Sequence, residues 1–273
     1  MLTRLFIIHQ RSDFIIHYSL TAAGGNPLRE VFMNNITVSL IIPVYNEENN
    51  LPHTLPKLSK WLADGKGKRE VVFSDDGSTD GSAELIKKCA AYHTGMRLVS
   101  APCNQGKGAA VRMGVLAATG KYRIFTDCDL AYGLGAINRM EEKLRMGRAD
   151  TVIGSRALHP DGYRGYTVFR RIMSKAYLEL LKVAAGLTQT DSQCGIKGFT
   201  NDAAIEIFSR CQINGFAFDL EVLTVAKRLG MRIAELPVCI VNHTENDSKV
   251  NPIKDTVRML KDVRQIKTIH KDT

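Results

Sequence analysis

The stretch "REVVFSDDGSTDGSAELIKKCAAYH", residues 69–93, passes from a β-branched and aromatic run through a turn rich in Gly, Ser and Asp into a helix-like segment. This order predicts a strand, a turn and a helix. The same alternation continues on both sides. Strand-like runs are "ITVSLIIPVY" (36–45), "MRLVSAP" (96–102) and "KYRIFTDCD" (121–129), and helix-like runs are "LPHTLPKLSKWLADG" (51–65) and "GKGAAVRMGVLAAT" (106–119). Strands separated by helices indicate βαβ units, so the sequence predicts an α/β fold with a mostly parallel sheet.

The composition narrows the class of protein. The chain has 273 residues, 44% of them hydrophobic, which is enough for one large or two small folded domains. Its net charge of +9 favours an anionic ligand, but no long block of Lys and Arg marks a nucleic-acid-binding tail. The six cysteines form neither a CxxC pair nor a zinc spacing, which favours a reducing, cytoplasmic environment without disulfides.

Residues 1–35 are predicted to be an N-terminal extension. Residues 1–32 carry little pattern, and two interpretations of them stay open: a disordered extension or an incorrectly assigned start. The apolar stretch near the N-terminus is interrupted by polar and charged residues. No window reaches the roughly 18 to 20 apolar residues of a spanning helix. We therefore expect no transmembrane segment, and at most a peripheral association with the cytoplasmic face of a membrane.

Three informative turns follow predicted strands: "PVYNEE", "SDDGSTDGS" and "TDCDLAY". In an open parallel sheet the loops beyond the carboxyl ends of the strands form the ligand crevice. Asp127 and Asp129, one residue apart at a strand end, can converge on a divalent cation, and hard oxygen ligands suit Mg²⁺ or Mn²⁺. The alternative is that both are turn aspartates that cap the next helix.

The order of these motifs resembles the family 2 glycosyltransferases with the GT-A fold. The resemblance begins with "VSLIIPVYNEENNL", "VVFSDDGSTDGS", "NQGKGAAVRMGVLAATGKY" and "FTDCDL" and extends to about residue 264. The later segments "DSQCGIKGFTNDAA" and "GFAFDLEVLTVAKRLGMRIAELPV" are similar to the polyprenyl-phosphate branch, which includes dolichyl-phosphate β-glucosyltransferase. The resemblance implies a three-layer sandwich in one domain over residues 36–273. Its parts would be a nucleotide-sugar half (36–130), an acceptor half (131–250) and a C-terminal amphipathic helix (251–273).

The resemblance also implies roles for individual residues. It places the nucleotide sugar, most specifically UDP-glucose, against Pro43, Tyr45, Glu47, Asp75, Asp76, Lys107 and Asp127. It assigns the metal to Asp127, Asp129 and His243, and catalysis to Asp127, Asp129, Asp191 and Gln193, with Asp219 and Glu221 also in the site. For Asp76 a plain Asx turn is the alternative, and for "NQGKG" a loop that only starts a helix.

The acceptor half is basic, with eight Lys and Arg against three Asp and Glu between residues 145 and 182. The resemblance implies that a polyprenyl phosphate is held by Arg156, Arg170, Ser174 and Lys249. Arg170 and Ser174 lie four residues apart, so on a helix they share a face. A solvated basic helix face explains the same charges.

The C-terminal segment alternates apolar and basic residues at helical spacing. A helix that lies on an anionic membrane and a helix that covers the sheet both explain this pattern. For the whole chain the resemblance implies a metal-dependent, inverting transfer of hexose, most specifically glucose, to a polyprenyl phosphate. Two alternatives stay open: a family 2 enzyme with a saccharide or small hydroxyl acceptor, and a non-catalytic nucleotide-binding regulatory protein.

Overall fold

A computed structural model describes residues 36–66, 68–164, 178–241 and 252–271, with side chains except at 252–260. The first half alternates as expected from the sequence. Its strands and helices are β1 (Val38–Val44), α1 (Leu51–Asp64), β2 (Arg69–Asp75), α2 (Ser82–Ala90), β3 (Met96–Ser100), α3 (Lys107–Ala117) and β4 (Tyr122–Thr126).

The second half is less regular than the first. It contains α4 (Gly133–Arg145), β5 (Thr151–Ser155), β6 (Ile196–Thr200), α5 (Asn201–Phe208), α6 (Phe218–Arg228), β7 (Ile233–Pro237) and α7 (Pro252–Ile269). Residues 178–185 are also helical. The N-terminal residues 1–35 lie outside the described residues.

The seven strands form one sheet in the order β3-β2-β1-β4-β6-β5-β7. All neighbours are parallel except that β6 runs antiparallel to both β4 and β5. The prediction of a mostly parallel α/β sheet is confirmed. Because β6 is reversed, its first residue, Ile196, pairs with Thr126 at the end of β4. The segment that precedes β6 therefore enters the crevice at the carboxyl ends of the other strands.

Helices cover both faces of the sheet. Neighbouring residues of a strand point to opposite faces, and apolar residues on both faces need to be covered. Leu40 and Ile42 of β1 pack in one apolar cluster, with residues of α1, α2 and α4. Ile41 packs in the other, with residues of α3, α5, α6 and α7. Each fully buried aliphatic side chain contributes on the order of 2 kcal/mol, so both helix layers are tightly attached to the sheet. This is the expected three-layer sandwich.

The described end of α7 covers the sheet. Val263 and Ile266 are buried in the second cluster, whereas Lys261, Arg264 and Lys267 are exposed. For residues 261–271 the structure therefore favours the covering helix over the membrane-bound one. Among the described residues there is no helix with the length and apolar character needed to cross a bilayer.

Candidate active site

Two loops at the carboxyl edge of the sheet are joined by hydrogen bonds. The backbone N–H of Asn46 donates to Ser78 Oγ at 3.0 Å, and Asn46 Oδ1 accepts from the N–H of Thr79 at 2.9 Å. Glu48 Oε2 accepts from the N–H of Gly81 at 3.1 Å. Asn46 has φ 55°, a left-handed backbone conformation that asparagine adopts more readily than most residues. The "YNEE" and "GSTDGS" motifs thus form one wall of the crevice, although more than thirty residues separate them.

The proposed nucleoside residues lie along this wall. Tyr45 follows β1 and is 45% exposed, so its ring is open to a ligand. Pro43 is part of β1 and is half-buried. Asp75 is buried at the end of β2 and accepts from the N–H of Ser78 at 3.0 Å. The local turn expected around Asp76 is therefore made by Asp75.

Asp76 joins β2 to the loop before α3. Its two carboxylate oxygens accept from the backbone N–H groups of Gln105 and Gly106, at 2.9 and 2.8 Å. Gly106 has φ 110°, a conformation that favours glycine, and a side chain there would collide with the carbonyl oxygen of Asn214. Asp76 therefore fixes the loop that carries Lys107, a role that the sequence did not indicate.

Asp127 and Asp129 lie just beyond the end of β4 and are both half-buried. The Lys107 ammonium is 2.5 Å from Asp127 Oδ1, and Asp129 Oδ1 accepts from the N–H of Ala131 at 3.0 Å. Glu47 from the first loop is also close. Burial raises the pKa of Glu47, and the charges of Asp129 and Asp127 raise it further against the hydrogen bond from Asn50. Three carboxylates from two loops thus concentrate negative charge at this point.

The carboxylates fit a hard divalent cation. The position already holds a cationic group, the Lys107 ammonium, and its oxygen ligands are of the kind that Mg²⁺ and Mn²⁺ prefer. In the described part of the chain no three His, Cys, Asp or Glu side chains lie together in an arrangement that could hold a metal ion. Mg²⁺ commonly uses one or two carboxylates and completes its shell with water and phosphate. His243, the third expected ligand, lies outside the described residues.

Asp191 and Arg156, which the resemblance places in separate roles, form a buried pair. Asp191 Oδ2 accepts from Arg156 Nε at 2.7 Å and from the Arg156 backbone N–H at 3.0 Å, and Oδ1 accepts from Nη2 at 2.8 Å. Asp191 is fully buried, and the Arg156 side chain is 13% exposed. Burial would lower the pKa of Arg156, but the hydrogen bonds and charge of Asp191 raise it. A permanently charged guanidinium is thus oriented at the end of β5.

The turn before β6 brings further residues to the crevice. A Cβ atom at Gly195 would lie 2.3 Å from Asp127 Oδ2, so a side chain there would displace that carboxylate. The Gln193 Nε2 group is buried without a hydrogen-bond partner in the part of the chain that the structure describes. The remaining acceptor residues of the sequence analysis, Arg170, Ser174 and Lys249, lie outside the described residues.

The buried lysine of β6 was not predicted from the sequence. Lys197 is fully buried, and its ammonium pairs with Asp219 of α6 and donates to the carbonyl oxygen of Cys194 at 2.8 Å. A lysine inside the short apolar strand "IKGFT" is the signal that could have revealed it, because a buried lysine needs an anionic partner.

Glu221, two residues beyond Asp219, supports the other side of the crevice. Its carboxylate accepts from the N–H groups of Gln212 and Ile213, at 2.9 and 2.8 Å, and lies 2.8 Å from His270 Nε2. The next carbonyl, that of Asn214, accepts from the N–H of Gly108 at 2.7 Å. Glu221 is therefore a structural group in this arrangement and does not line the crevice directly.

The family model and two curated relatives that match this chain all describe glycosyl transferases. The family model described as "Glycosyl transferase family 2" matches residues 39–208. A dolichyl-phosphate beta-glucosyltransferase of Dictyostelium discoideum is 34% identical over 86% of this chain and 75% of its own length. The protein of that name from Homo sapiens is 31% identical over 83% of this chain and 73% of its own length.

Solved structures resemble the fold. Glucosyl-3-phosphoglycerate synthase from Mycobacterium tuberculosis, crystallised with Mn²⁺, uridine diphosphate and glucosyl-3-phosphoglycerate, has a TM-score of 0.58 and 19% identity. The match covers 88% of this chain and 82% of the synthase. The same synthase, crystallised with Mg²⁺ and uridine diphosphate, gives a TM-score of 0.59 at 18% identity, over 90% of this chain and 84% of that one. At these identities the likeness supports the fold alone.

Proposed function

Because the chain belongs to glycosyl transferase family 2 and has the GT-A fold, we propose that it transfers a hexose from a nucleotide sugar to a polyprenyl phosphate. Glucose from UDP-glucose is the specific proposal, with inversion at the anomeric carbon. The observation that carries it is the concentration of Asp127, Asp129 and Glu47 beside Lys107 at the mouth of the crevice. The names of the relatives support the choice of acceptor and sugar.

The nucleotide sugar would lie along the wall formed by the two interlocked loops. Tyr45 would pack on the nucleoside beside Pro43, and Asp75 and Asp76 would accept from the base. Glu47 and Lys107 would lie at the diphosphate end of the donor. Asp76 already accepts two backbone N–H groups, but a carboxylate has about four lone-pair sites, so it can accept one more hydrogen bond.

Asp127 and Asp129 would hold Mg²⁺ or Mn²⁺, with His243 as a proposed third ligand. When bound, the ion would neutralise charge that develops on the departing nucleoside diphosphate. Lys107 contributes a positive charge at the same place without any cofactor. Gln193 has a buried amide donor on the turn that also carries Gly195 next to Asp127, so we place Gln193 at the transferred sugar.

The acceptor phosphate would bind at Arg156, with Arg170, Ser174 and Lys249 as further proposed contacts. The Arg156–Asp191 pair supports an anionic acceptor over a hydroxyl acceptor. Both oxygens of Asp191 accept from Arg156, so Asp191 is poorly placed to remove a proton. A phosphomonoester needs no strong base, because it is already a nucleophilic anion and positioning supplies much of the catalysis. We therefore propose that Asp191 acts by orienting Arg156.

The test is the transfer of labelled glucose from UDP-glucose to dolichyl phosphate in detergent, with purified protein and Mg²⁺ or Mn²⁺. We expect an organic-extractable, acid-labile product that EDTA abolishes. Dolichol, which lacks only the phosphate, is the matched acceptor control and should give no product.

Other results would replace the proposal in defined ways. Transfer to dolichol or to a soluble sugar, but not to dolichyl phosphate, would indicate a hydroxyl acceptor. Metal-dependent binding of UDP without turnover on either class of acceptor would indicate a regulatory nucleotide-binding protein. A peripheral position at the cytoplasmic face of a membrane is part of the proposal, and sedimentation with anionic lipid vesicles would test it.

A further inference from the structure

A buried ion pair lies near the cluster formed by Asp127, Asp129 and Glu47. Lys197 of β6 and Asp219 of α6 pair with each other, with the lysine side chain fully buried and the aspartate side chain 8% exposed. The Lys197 ammonium also lies 5.6 Å from the centre of the Phe125 ring. Such a pair is costly to bury, and removing one partner is strongly destabilising because the other charge then stays buried without compensation. The pair is not required to attach β6, which the sheet hydrogen bonds already hold on both sides.

The pair lies close to Lys107, because the residues next to Lys107 and to Asp219 in the sequence pack against each other. Gly108 packs against Phe218 so closely that a side chain on Gly108 would lie 2.6 Å from Phe218 Cβ. Lys107 directly precedes Gly108 at the start of α3, and Asp219 directly follows Phe218 in α6. Their charges interact: burial would lower the pKa of Lys107, but Asp127 and then Asp219 raise it. Burial raises the pKa of Asp219, while Lys197 and Lys107 counteract this.

Four charges therefore alternate in sign from the crevice inward: Asp127, Lys107, Asp219 and Lys197. Lys107 is attracted from both sides. If Asp219 were neutral, Lys107 would be attracted by the Asp127 side alone and would compete more strongly with any cation there. This competition opposes the binding of a divalent ion at Asp127.

We propose that Asp219, held in place by Lys197, shares Lys107 with Asp127 and thereby keeps Asp127 able to bind a divalent cation. Asp219 is then a positioning residue for the metal site. The inference rests on the proposed function only in taking Asp127 as a metal ligand. It requires neither UDP-glucose nor a polyprenyl phosphate.

The test measures Mn²⁺ binding directly, by the electron paramagnetic resonance signal of free Mn²⁺, in the full-length protein with UDP. We expect Asp219→Asn to weaken Mn²⁺ binding by about 10-fold, the lower end for residues that support metal ligands. Asp219→Glu should stay within about 2-fold of the original protein. In a Lys107→Met background the Asp219→Asn change should have no further effect, because the two residues act on one interaction.

A second variant guards against loss of the fold, since Asp219→Asn leaves Lys197 buried without its partner. Lys197→Met/Asp219→Asn removes both charges and should show the same weakening of Mn²⁺ binding. Glu70→Gln provides the matched control, because Glu70 and Arg97 form another largely buried pair at the opposite edge of the sheet. It should reduce stability and leave Mn²⁺ binding unchanged.

The inference is overturned if folded Asp219→Asn or the double variant binds Mn²⁺ as tightly as the original protein. It is also overturned if Asp219→Asn still weakens binding in the Lys107→Met background, since Asp219 would then act without Lys107. A failure of the proposed function gives a different result. If the original protein binds no Mn²⁺ with UDP, the metal site itself is wrong and the inference falls with it.

Discussion

Glu70 and Glu47 are glutamates at opposite edges of the same sheet, and their surroundings shift their pKa values in opposite directions. Glu70 lies at the amino edge, where Ser39 Oγ donates at 2.6 Å, Arg97 Nε at 3.0 Å and the Thr119 N–H at 2.7 Å. Burial raises the pKa of Glu70, but Arg97 and these hydrogen bonds lower it below its usual value. The charge of Glu70 is therefore compensated by its neighbours.

Glu47 lies at the carboxyl edge, where its neighbours are acidic. Burial raises its pKa, and Asp129 and Asp127 raise it further, against one hydrogen bond from Asn50. Carboxylates held close together without full compensation are typical of functional sites, whereas compensated carboxylates stabilise a fold. Glu70 is thus a compensated carboxylate that stabilises the fold, whereas Glu47 is an incompletely compensated carboxylate beside the proposed ligand site.

The largest effect is expected at the acidic edge. Asp129→Ala should reduce metal-dependent transfer by roughly 100- to 1000-fold, because it removes a proposed metal ligand and the charge stabilisation that the metal supplies. Transfer rates with saturating Mn²⁺, together with thermal melting of the metal-free protein, check this. Melting should stay within a few degrees of the original protein. Unchanged metal-dependent transfer would remove Asp129 from the metal site.

At the amino edge we expect the opposite result, a loss of stability without a loss of transfer. Glu70→Gln should lower the free energy of unfolding by about 2 to 3 kcal/mol, because it leaves the hydrogen bonds of Arg97 and Ser39 incompletely matched. Donor KM and the transfer rate of the folded variant should not change. Denaturant unfolding and steady-state kinetics at one temperature measure both quantities. A loss of transfer at unchanged stability would show that the comparison between the edges is wrong.

Acidification offers a second measurement on the same variant. Since the folded-state pKa of Glu70 lies below its ordinary value of 4.5, its contribution to stability is complete above pH 4.5. It is lost as the pH falls through the lower folded-state pKa. The difference in stability between the original protein and Glu70→Gln should therefore decrease on acidification.

The sequence predicted the parts of the molecule that depend on local pattern. The alternation of strands and helices up to β4, and the position of Asp127 and Asp129 at a strand end, follow from short-range periodicity and turn residues. The reversed direction of β6 does not, because strand order depends on contacts between distant segments. That reversal places Asp191 and Gly195 at the crevice, and only the resemblance to a family had indicated Asp191.

The sequence also did not predict which charged residues form ion pairs, because these pairs join segments that are distant in the chain. Arg156 and Asp191 are 35 residues apart, and Lys197 and Asp219 are 22 apart. The spacing of apolar residues in α7 was compatible with a membrane or with the core, and only packing against the sheet decided the question for Val263 and Ile266. Residue types predicted which groups could carry charge, but not which charges meet.

A smaller effect is expected at Arg156, which combines features of both edges, since it is paired with Asp191 and lies at the crevice. Arg156→Lys keeps the positive charge but loses the planar fork that binds Asp191 through two nitrogens. We expect KM for the phosphate acceptor to rise by about 10-fold, with donor KM within about 2-fold of the original value. Steady-state kinetics with each substrate varied in turn measure the two constants. A larger effect on the donor would remove Arg156 from the acceptor site.

The smallest effect tests the acidic edge through stability alone. Glu47→Gln removes a charge that Asp127 and Asp129 repel, so in EDTA it should raise the free energy of unfolding at pH 7 by about 0.2 to 1 kcal/mol, the range for partly exposed charge pairs. The folded-state pKa of Glu47 lies above its ordinary value of 4.5, so ionisation costs stability as the pH rises above 4.5. The advantage of the variant should therefore vanish below pH 4.5, where Glu47 is protonated in both states. Glu84→Gln, on an exposed part of α2, is the control without a comparable gain. If Glu47→Gln were destabilising at pH 7, the carboxyl edge would be compensated like the amino edge, and the case for a cation there would weaken.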